Sequence, residues 1–356
     1  MNSFDINDKR DVNEFKGIVF SKYKKSDAKK ELLKSIVNNK IEQSCYWVSE
    51  FVCSGHYSDI WEIILTIISK NIHLGNPKLP IYIELRFNEF KNIINNGYVG
   101  NEIKMRNNPK IRILFAEIVS ILCLSKKKLP FDNIKILKED FNIANLSFKL
   151  KADKLNYGQR FFKKEDPKEL FIGINEFAYH ISKTSYNNQL ACYWLEWLLG
   201  YEQICFKENK IRKVGGRRYM PVQEKFQKDT IWIIWEILLY ESKQKNNIIH
   251  KIINSLLNLF CLKYSQSCPK RRRNIIYFSI SLITEHVDLN IKMCKNNSIV
   301  AEISKKINVV YKQIKKNEIT PETDYLFNNS LNAGNLEKTI SKLEKMNTLM
   351  NIVTRN

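Results

Sequence analysis

The sequence predicts an all-α protein built from two tandem, homologous helical domains. Gly and Pro are scarce, at 11 and 8 of 356 residues, while hydrophobic residues make up 44% of the chain. This composition favours long helices over turn-rich β structure. In addition, apolar residues recur at helical spacing, and four landmarks occur twice in the same order.

The four landmarks indicate an internal duplication. They are two acidic helix starts (27–32 and 166–170), two Cys-Tyr-Trp segments (45–48 and 192–195), two Ile-Trp segments (60–64 and 231–234) and two Pro-Lys segments (108–112 and 268–272). The spacing between copies is far above the roughly 20–50 residues of solenoid repeats, so we expect two domains and not an array of short repeats.

The landmarks divide the chain into five parts. We expect an N-terminal arm (1–26), a first helical domain (27–128), a linker (129–165), a second helical domain (166–290) with a basic insertion (206–228), and a polar tail (291–356) that ends in a helix. The length fits two domains of about 130 residues, each able to bury its own core.

Apolar spacing supports each helix in turn. Ile41, Cys45, Val48 and Val52 lie on one face of a helix, an isoleucine-rich stripe follows at 60–68, and the segment 54–56 between them has the composition of a helix stop and turn. Apolar helices also follow the Pro-Lys landmarks at 113–121 and 275–282. In the tail, Leu336, Ile340, Leu343 and Met350 have coiled-coil-like spacing, which predicts a terminal helix that docks on the body.

Location and redox state follow from similar arguments. No run approaches the roughly 18–20 apolar residues of a membrane span, and the polar N-terminus is unlike a signal peptide. We therefore expect a soluble, intracellular protein without membrane contact. The eight cysteines form no CxxC pair and predict buried free thiols in a reducing compartment, in the cytoplasm, the nucleus or a viral replication site. Neither they nor the five histidines have metal-ligand spacing, and no metal or cofactor is expected.

The net charge of +21 indicates a polyanionic partner, either nucleic acid or an acidic protein. A compositional explanation stays open, because Lys, Asn and Ile are abundant, as in the products of an AT-rich genome. Arginine clustering argues against it, since AT-rich coding does not favour arginine and the planar guanidinium suits phosphate.

The first basic cluster lies in the insertion, which we expect to be an exposed loop that contacts phosphates. Its candidate nucleic-acid-binding residues are Lys207, Lys210, Arg212, Lys213, Arg217, Arg218 and Tyr219. Gly215 and Gly216 interrupt it, but the spacing is not that of a Walker phosphate loop.

The second basic cluster follows Pro269 at an expected helix entry and consists of Lys270, Arg271, Arg272 and Arg273. If both clusters share a face, they form one basic surface.

One segment of the first domain has the features of a known family. Its elements are Lys34-Ser35-Ile36, Tyr46-Trp47, Ser54-Gly55, Ile60-Trp61 and the turn His73-Leu74-Gly75-Asn76-Pro77. In this order they resemble the helical collar region of RarA/MgsA and Werner-interacting-type ATPases, relatives of the clamp loaders. The resemblance covers residues 33–77, and the second copy lacks the Gly-Asn-Pro turn. In that family the collar assembles subunits, while a separate module, which has no counterpart in this sequence, hydrolyses ATP.

The resemblance implies a collar-like scaffold or accessory factor of DNA replication or repair, with DNA preferred to RNA and with a protein partner or self-association. The AT-rich composition leads us to expect a viral source. The alternative is a virion or assembly protein that binds an acidic protein partner. We expect no enzyme, because no nucleophile–base pair, metal set or phosphate loop emerges from Glu50, His56, Asp59, Glu62, Glu196 and Glu236.

Overall fold

The described part of the chain is all-α, as the sequence predicts. The computed structural model describes residues 4–208 and 213–319, apart from the side chains of residues 143 and 144. Within these ranges the only β pairing is an isolated bridge between Ile18 and Lys24. The helices are α1 (Lys25–Val37), α2 (Ile41–Cys53), α3 (Tyr57–Thr66), α4 (Leu79–Asn95), α5 (Pro109–Leu124), α6 (Ile143–Leu146), α7 (Asn156–Gln159), α8 (Phe171–Ile181), α9 (Asn188–Lys207), α10 (Ile231–Lys245), α11 (Asn247–Phe260), α12 (Cys268–Arg271), α13 (Arg273–Thr284) and α14 (Asn297–Lys315).

Helices α1–α5 form the first half around a common apolar core. Cys45, Val48 and Val52 of α2 are buried, and α2 packs against α1 and α5. Gly55 separates α2 from α3 with φ of 74°, a left-handed conformation that glycine adopts without steric cost. The turn predicted at residues 54–56 is therefore present.

The collar-like motif of the sequence lies on an irregular turn. After α3 the chain forms a π-helix (Ile67–Ile72) and then a short 3₁₀ turn (His73–Gly75). His73 has a positive φ of 28°, and its Nε2 lies 2.9 Å from the carbonyl oxygen of Leu129. A Cβ at Gly75 would collide with the carbonyl oxygen of Lys126. This close backbone approach explains why glycine occupies the position.

Helices α8–α11 and α13 form the second half. The repeated landmarks fall on helices in the same order, since the Cys-Tyr-Trp segments lie in α2 and α9 and the Ile-Trp segments in α3 and α10. Prolines lie in the first turn of α5 in the first half and of the short α12, which precedes α13, in the second. This order is what a duplication would produce, and the duplication itself stays a prediction.

The two halves pack against each other. Helix α4 contacts α11, and α13 packs on the π-helix. The buried hydrophobic side chains of both halves belong to one contiguous cluster. The linker also carries structure, with short helical turns at Lys138–Phe141, α6, Ser147–Lys149 and α7.

Helix α14 belongs to the part of the chain that we expected to be a polar tail. It packs on α5 and α2, and Tyr311 is buried, with the Arg112 guanidinium 4.1 Å from the centre of its ring. The terminal helix that the sequence predicts around Leu336 and Met350 lies outside the described residues.

Two further observations concern the environment of the chain. The eight cysteines are free thiols, and all are buried except the partly exposed Cys294, as the sequence predicts. Across residues 4–208 and 213–319, no helix combines the length and apolar character that a membrane span requires.

Candidate nucleic-acid interface

The basic insertion is anchored to the protein by a buried arginine. The Arg217 guanidinium donates to both carboxylate oxygens of Asp166, at 2.6 and 2.7 Å, and its Nε donates to Glu236 Oε2 at 2.9 Å. It also donates to the carbonyl oxygen of Phe161 at 3.0 Å. Arg217 is fully buried, so its expected role as a phosphate ligand is corrected to a structural one.

Asp166 is a well-satisfied partner for this arginine. Burial alone would raise the pKa of its carboxyl, but hydrogen bonds from Arg217 and from the amides of Lys163 and Gly215 outweigh burial and hold the pKa below its usual range. The insertion is thus tied to the beginning of the second half, and Val214 and Met220 are buried along with Arg217. The expected exposed loop is exposed only in part.

Arg272, in the second cluster, is also internal. Its Nη1 donates to the carbonyl oxygens of Phe260 and Leu262, at 2.6 and 2.7 Å, where α11 ends. Its Nη2 forms an ion pair with Glu62 of α3. Arg272 therefore closes the end of α11 and links the two halves, and we remove it from the phosphate-binding set.

The neighbouring arginines are partly occupied. Arg271 Nη2 lies 3.3 Å from Glu62 Oε1, with its side chain about half exposed. Arg273 lies 3.4 Å from Glu196, which also accepts a hydrogen bond from the Tyr277 hydroxyl at 2.8 Å. The acids that the sequence offered as catalytic candidates, Glu62 and Glu196, thus serve as partners of arginine.

Half of the exposed members of the predicted set are lysines. Lys207, Lys213, Arg218, Tyr219, Lys270 and Arg271 are exposed, while Lys210 and Arg212 lie outside the described residues. The Tyr219 ring is 59% exposed, although partial burial and the nearby Glu236 raise the pKa of its hydroxyl.

The structure brings Lys207, Lys213 and Lys228 to one cavity of about 360 Å³, which we name the lysine cleft, and Pro269, next to the second basic cluster, also lines it. It lies between the end of α9, the neck of the insertion and the turn before α12. Its lining residues are Glu202, Gln203, Cys205, Phe206, Lys207, Lys213, Lys228, Asp229, Gln266, Ser267 and Pro269.

Backbone pairing explains why lysines meet there. The amide of Val214 donates to the carbonyl oxygen of Lys228 at 3.1 Å, which places Lys213 and Lys228 on either side of the neck of the insertion. Lys207 ends α9 on the same cleft, and Lys270 directly follows the lining residue Pro269. In the described part of the chain none of these four lysines forms an ion pair.

Of the lining residues, the sequence singled out only Lys207 and Lys213. A further cation and an exposed aromatic ring were missed. Lys228 is exposed and lies at the end of the insertion, three residues before α10. Phe206 is 67% exposed in the last turn of α9. The only sequence signal for Phe206 is its position beside lysines, because its exposure depends on where α9 leaves the core.

The described residues contain no group of three or more His, Cys, Asp or Glu side chains that could hold a metal ion. Comparison with protein-family models, curated proteins and solved structures found no match to this chain. The collar resemblance therefore stays a prediction.

Proposed function

We propose that the chain is a non-enzymatic accessory protein that holds nucleic acid at the lysine cleft. The observation that carries this proposal is the convergence of Lys207, Lys213 and Lys228 around an exposed phenylalanine, with Lys270 beside them. These cations come from separate segments of the chain. Unlike Arg217 and the three arginines 271–273, they form no ion pair among the described residues.

Phosphate is the anion that this arrangement suits best. A lysine ammonium is a point charge that contacts phosphate oxygens without reading the sequence of bases. The net charge of +21 adds a long-range field that attracts polyanions. Both features support binding to the backbone of nucleic acid, with an affinity that falls as salt rises.

The shape of the cleft favours a single strand. Its volume of about 360 Å³ is near the lower end of the roughly 300–1,000 Å³ that small-molecule sites occupy, so it fits an unstacked nucleotide and not a duplex. Exposed aromatic rings beside cations are typical of single-strand binding, because each base can stack on the ring. Phe206 provides such a ring.

The biological setting that we propose is DNA replication or repair, in a virus with an AT-rich genome. The preference for DNA and the scaffold role rest on the collar resemblance, and the helical faces of the protein would hold a protein partner or a second copy. The alternative, a virion or assembly protein that binds an acidic protein, stays open, since the same lysines would attract carboxylates.

The test is a salt series of binding to labelled single-stranded and double-stranded DNA and RNA. It compares the intact protein with a variant in which Lys207, Lys213, Lys228 and Lys270 are replaced by Gln. We expect tighter binding to the single strand. We also expect the slope of log affinity against log salt to fall by roughly 0.7 for each phosphate that the variant no longer neutralises.

A matched control replaces four exposed lysines outside the cleft, Lys16, Lys24, Lys104 and Lys305, by Gln. It has the same net charge as the cleft variant and should retain most of the affinity and slope. If both variants lose affinity and slope equally, the binding depends on net charge alone, which would contradict a site at the cleft. Weak, salt-insensitive binding by all proteins would favour the acidic-partner alternative.

A further inference from the structure

Two carboxylates line the lysine cleft together with its lysines. Glu202 comes from α9 and Asp229 from the segment just before α10, and both line the cavity. Asp229 Oδ2 accepts a hydrogen bond from the Tyr264 hydroxyl at 2.9 Å. Among the described residues, the hydrogen bonding of Glu202 comes from Thr230, whose amide nitrogen is 3.5 Å from Oε1.

The hydrogen bonds and cations around these two carboxylates do not offset their burial, so the pKa of each is raised. Burial raises the pKa of Glu202, and the charge of Asp229 raises it further. Burial likewise raises the pKa of Asp229, while the Tyr264 hydrogen bond and the charge of Lys213 oppose the rise. An ionised carboxylate accepts several hydrogen bonds, so each retains capacity for donors from a ligand.

The cleft therefore offers three kinds of contact close together. Exposed lysines attract an anion, the exposed ring of Phe206 suits a flat base, and the carboxylates accept hydrogen bonds from N–H groups. A nucleotide whose base has an exocyclic amino group provides all three matching groups: a phosphate, a flat ring and N–H donors. Acidic side chains accept from cytosine N4 in this way, and adenine and guanine have comparable amino donors.

Thymine and uracil match the carboxylates poorly. They lack an exocyclic amino group, and carbonyl oxygens flank their only ring N–H donor on both sides. Those oxygens would face the carboxylates of Glu202 and Asp229, which repel them. Burying a polar group of the base without a hydrogen-bond partner costs binding free energy. This cost lets a binding site discriminate between bases.

We propose that the lysine cleft selects an unstacked nucleotide with an amino-bearing base (cytosine, adenine or guanine) and disfavours thymine and uracil. This inference rests on the proposed function, to which it adds base selectivity. Glu202 and Asp229 are the specificity-determining residues, and the exposed lysines hold the phosphates on either side.

The test measures competition of unlabelled oligo-dC, oligo-dA and oligo-dT of equal length for a labelled mixed-sequence strand, at one salt concentration and neutral pH. Cytosine against thymine is the deciding comparison, because both are pyrimidines and differ little in stacking area. We expect oligo-dC to compete at least about five-fold better than oligo-dT, as one good base contact provides.

The variant Glu202→Gln should bring the ratio of oligo-dC to oligo-dT close to one while leaving binding to oligo-dT unchanged or tighter. Its control is Glu224→Gln, an exposed acid in the same insertion, which should keep the ratio of the intact protein. Chemical denaturation of both variants establishes that they fold.

Each other outcome is informative. Equal competition by the three oligonucleotides, with steep salt dependence, overturns base selection and leaves the cleft as a backbone site. If the ratio of oligo-dC to oligo-dT falls to one in both variants, the preference depends on net charge, and base selection by the cleft is also overturned. If no oligonucleotide binds at low salt, the proposed function itself fails, and the selectivity fails with it.

Discussion

Arg217 and Arg272 each hold a guanidinium against backbone carbonyl oxygens and a carboxylate inside the protein, whereas Lys207, Lys213 and Lys228 line a cavity with exposed ammonium groups. The difference follows from chemistry. Five donors in a planar fork can satisfy several acceptors at once, while a flexible, strongly hydrated ammonium is best left in water. The arginine clustering in the sequence therefore indicated structure as much as function.

Sequence alone could place the cations near each other but could not identify their partners. Asp166 lies 51 residues from Arg217, and Glu62 lies 210 residues from Arg272. Such pairs depend on the packing of whole helices, which local patterns do not specify. The exposure of Lys207, Lys213 and Lys270 could be predicted, because lysine side chains are ordinarily exposed.

Replacing Arg217 by Ala should destabilise the protein strongly, whereas Arg218→Ala should change little. Loss of Arg217 leaves the Asp166 carboxylate buried without its charge partner, at a cost of about 3–5 kcal/mol. The exposed Arg218 should stay within about 0.5 kcal/mol. Urea denaturation measures both, and equal effects of the two substitutions would contradict the anchoring role of Arg217.

The collar-like turn at residues 73–77 could be predicted from the sequence only in part. The helices before and after it follow from apolar spacing, and the turn follows from its Gly-Asn-Pro composition. The π-helix and the close approach of Gly75 to Lys126 could not be predicted, because the π-helix packs on α13 and Gly75 meets the segment after α5, both distant in sequence.

Gly75→Ala should therefore destabilise the fold. Its Cβ would meet a backbone carbonyl that cannot move without shifting the end of α5, a strain of about 1–3 kcal/mol or more. Gly216→Ala is the control, because nothing lies within 4 Å of its added Cβ and its effect should be within about 0.5 kcal/mol. Equal melting temperatures of the two variants would contradict a close contact between Gly75 and the Lys126 carbonyl.

Helix α14 was missed because its apolar positions alternate with lysines and its partner, α5, lies nearly 200 residues earlier. Val300, Ile307, Tyr311 and Ile314 nevertheless form a buried stripe. Helical periodicity existed in the sequence, but the polar composition of the segment obscured it.

Tyr311→Ala should cost about 3–5 kcal/mol in unfolding free energy, as for other large buried aromatic residues. Val309→Ala, on the exposed face of the same helix, is the matched control and should be close to neutral. A small effect of Tyr311→Ala would mean that α14 does not contribute to the core, and the predicted tail would then describe the segment better.

The two halves share one hydrophobic core and are linked by the ion pair between Arg272 and Glu62. We therefore expect them to unfold as one unit. Tryptophans occur in both halves, with Trp47 and Trp61 in the first and Trp194, Trp197, Trp232 and Trp235 in the second.

We expect equilibrium unfolding in urea to be one transition, with the same midpoint by tryptophan fluorescence and by helical circular dichroism. A chain of this length often unfolds in stages, so coincidence of the two probes would be meaningful. Two separated transitions would indicate independent domains with the boundaries that the sequence predicts, 27–128 and 166–290.

Mapping crosslinks between the intact protein and single-stranded DNA tests whether nucleic acid is held at the lysine cleft. Mass spectrometry of peptides from the crosslinked complex would locate the attached residues. We predict that they concentrate at 203–207, at Lys213 and Lys228 on either side of the insertion, and at 266–271, which are separate in sequence and meet at the cleft. Crosslinks spread over exposed lysines of both halves, or confined to the first half, would contradict it.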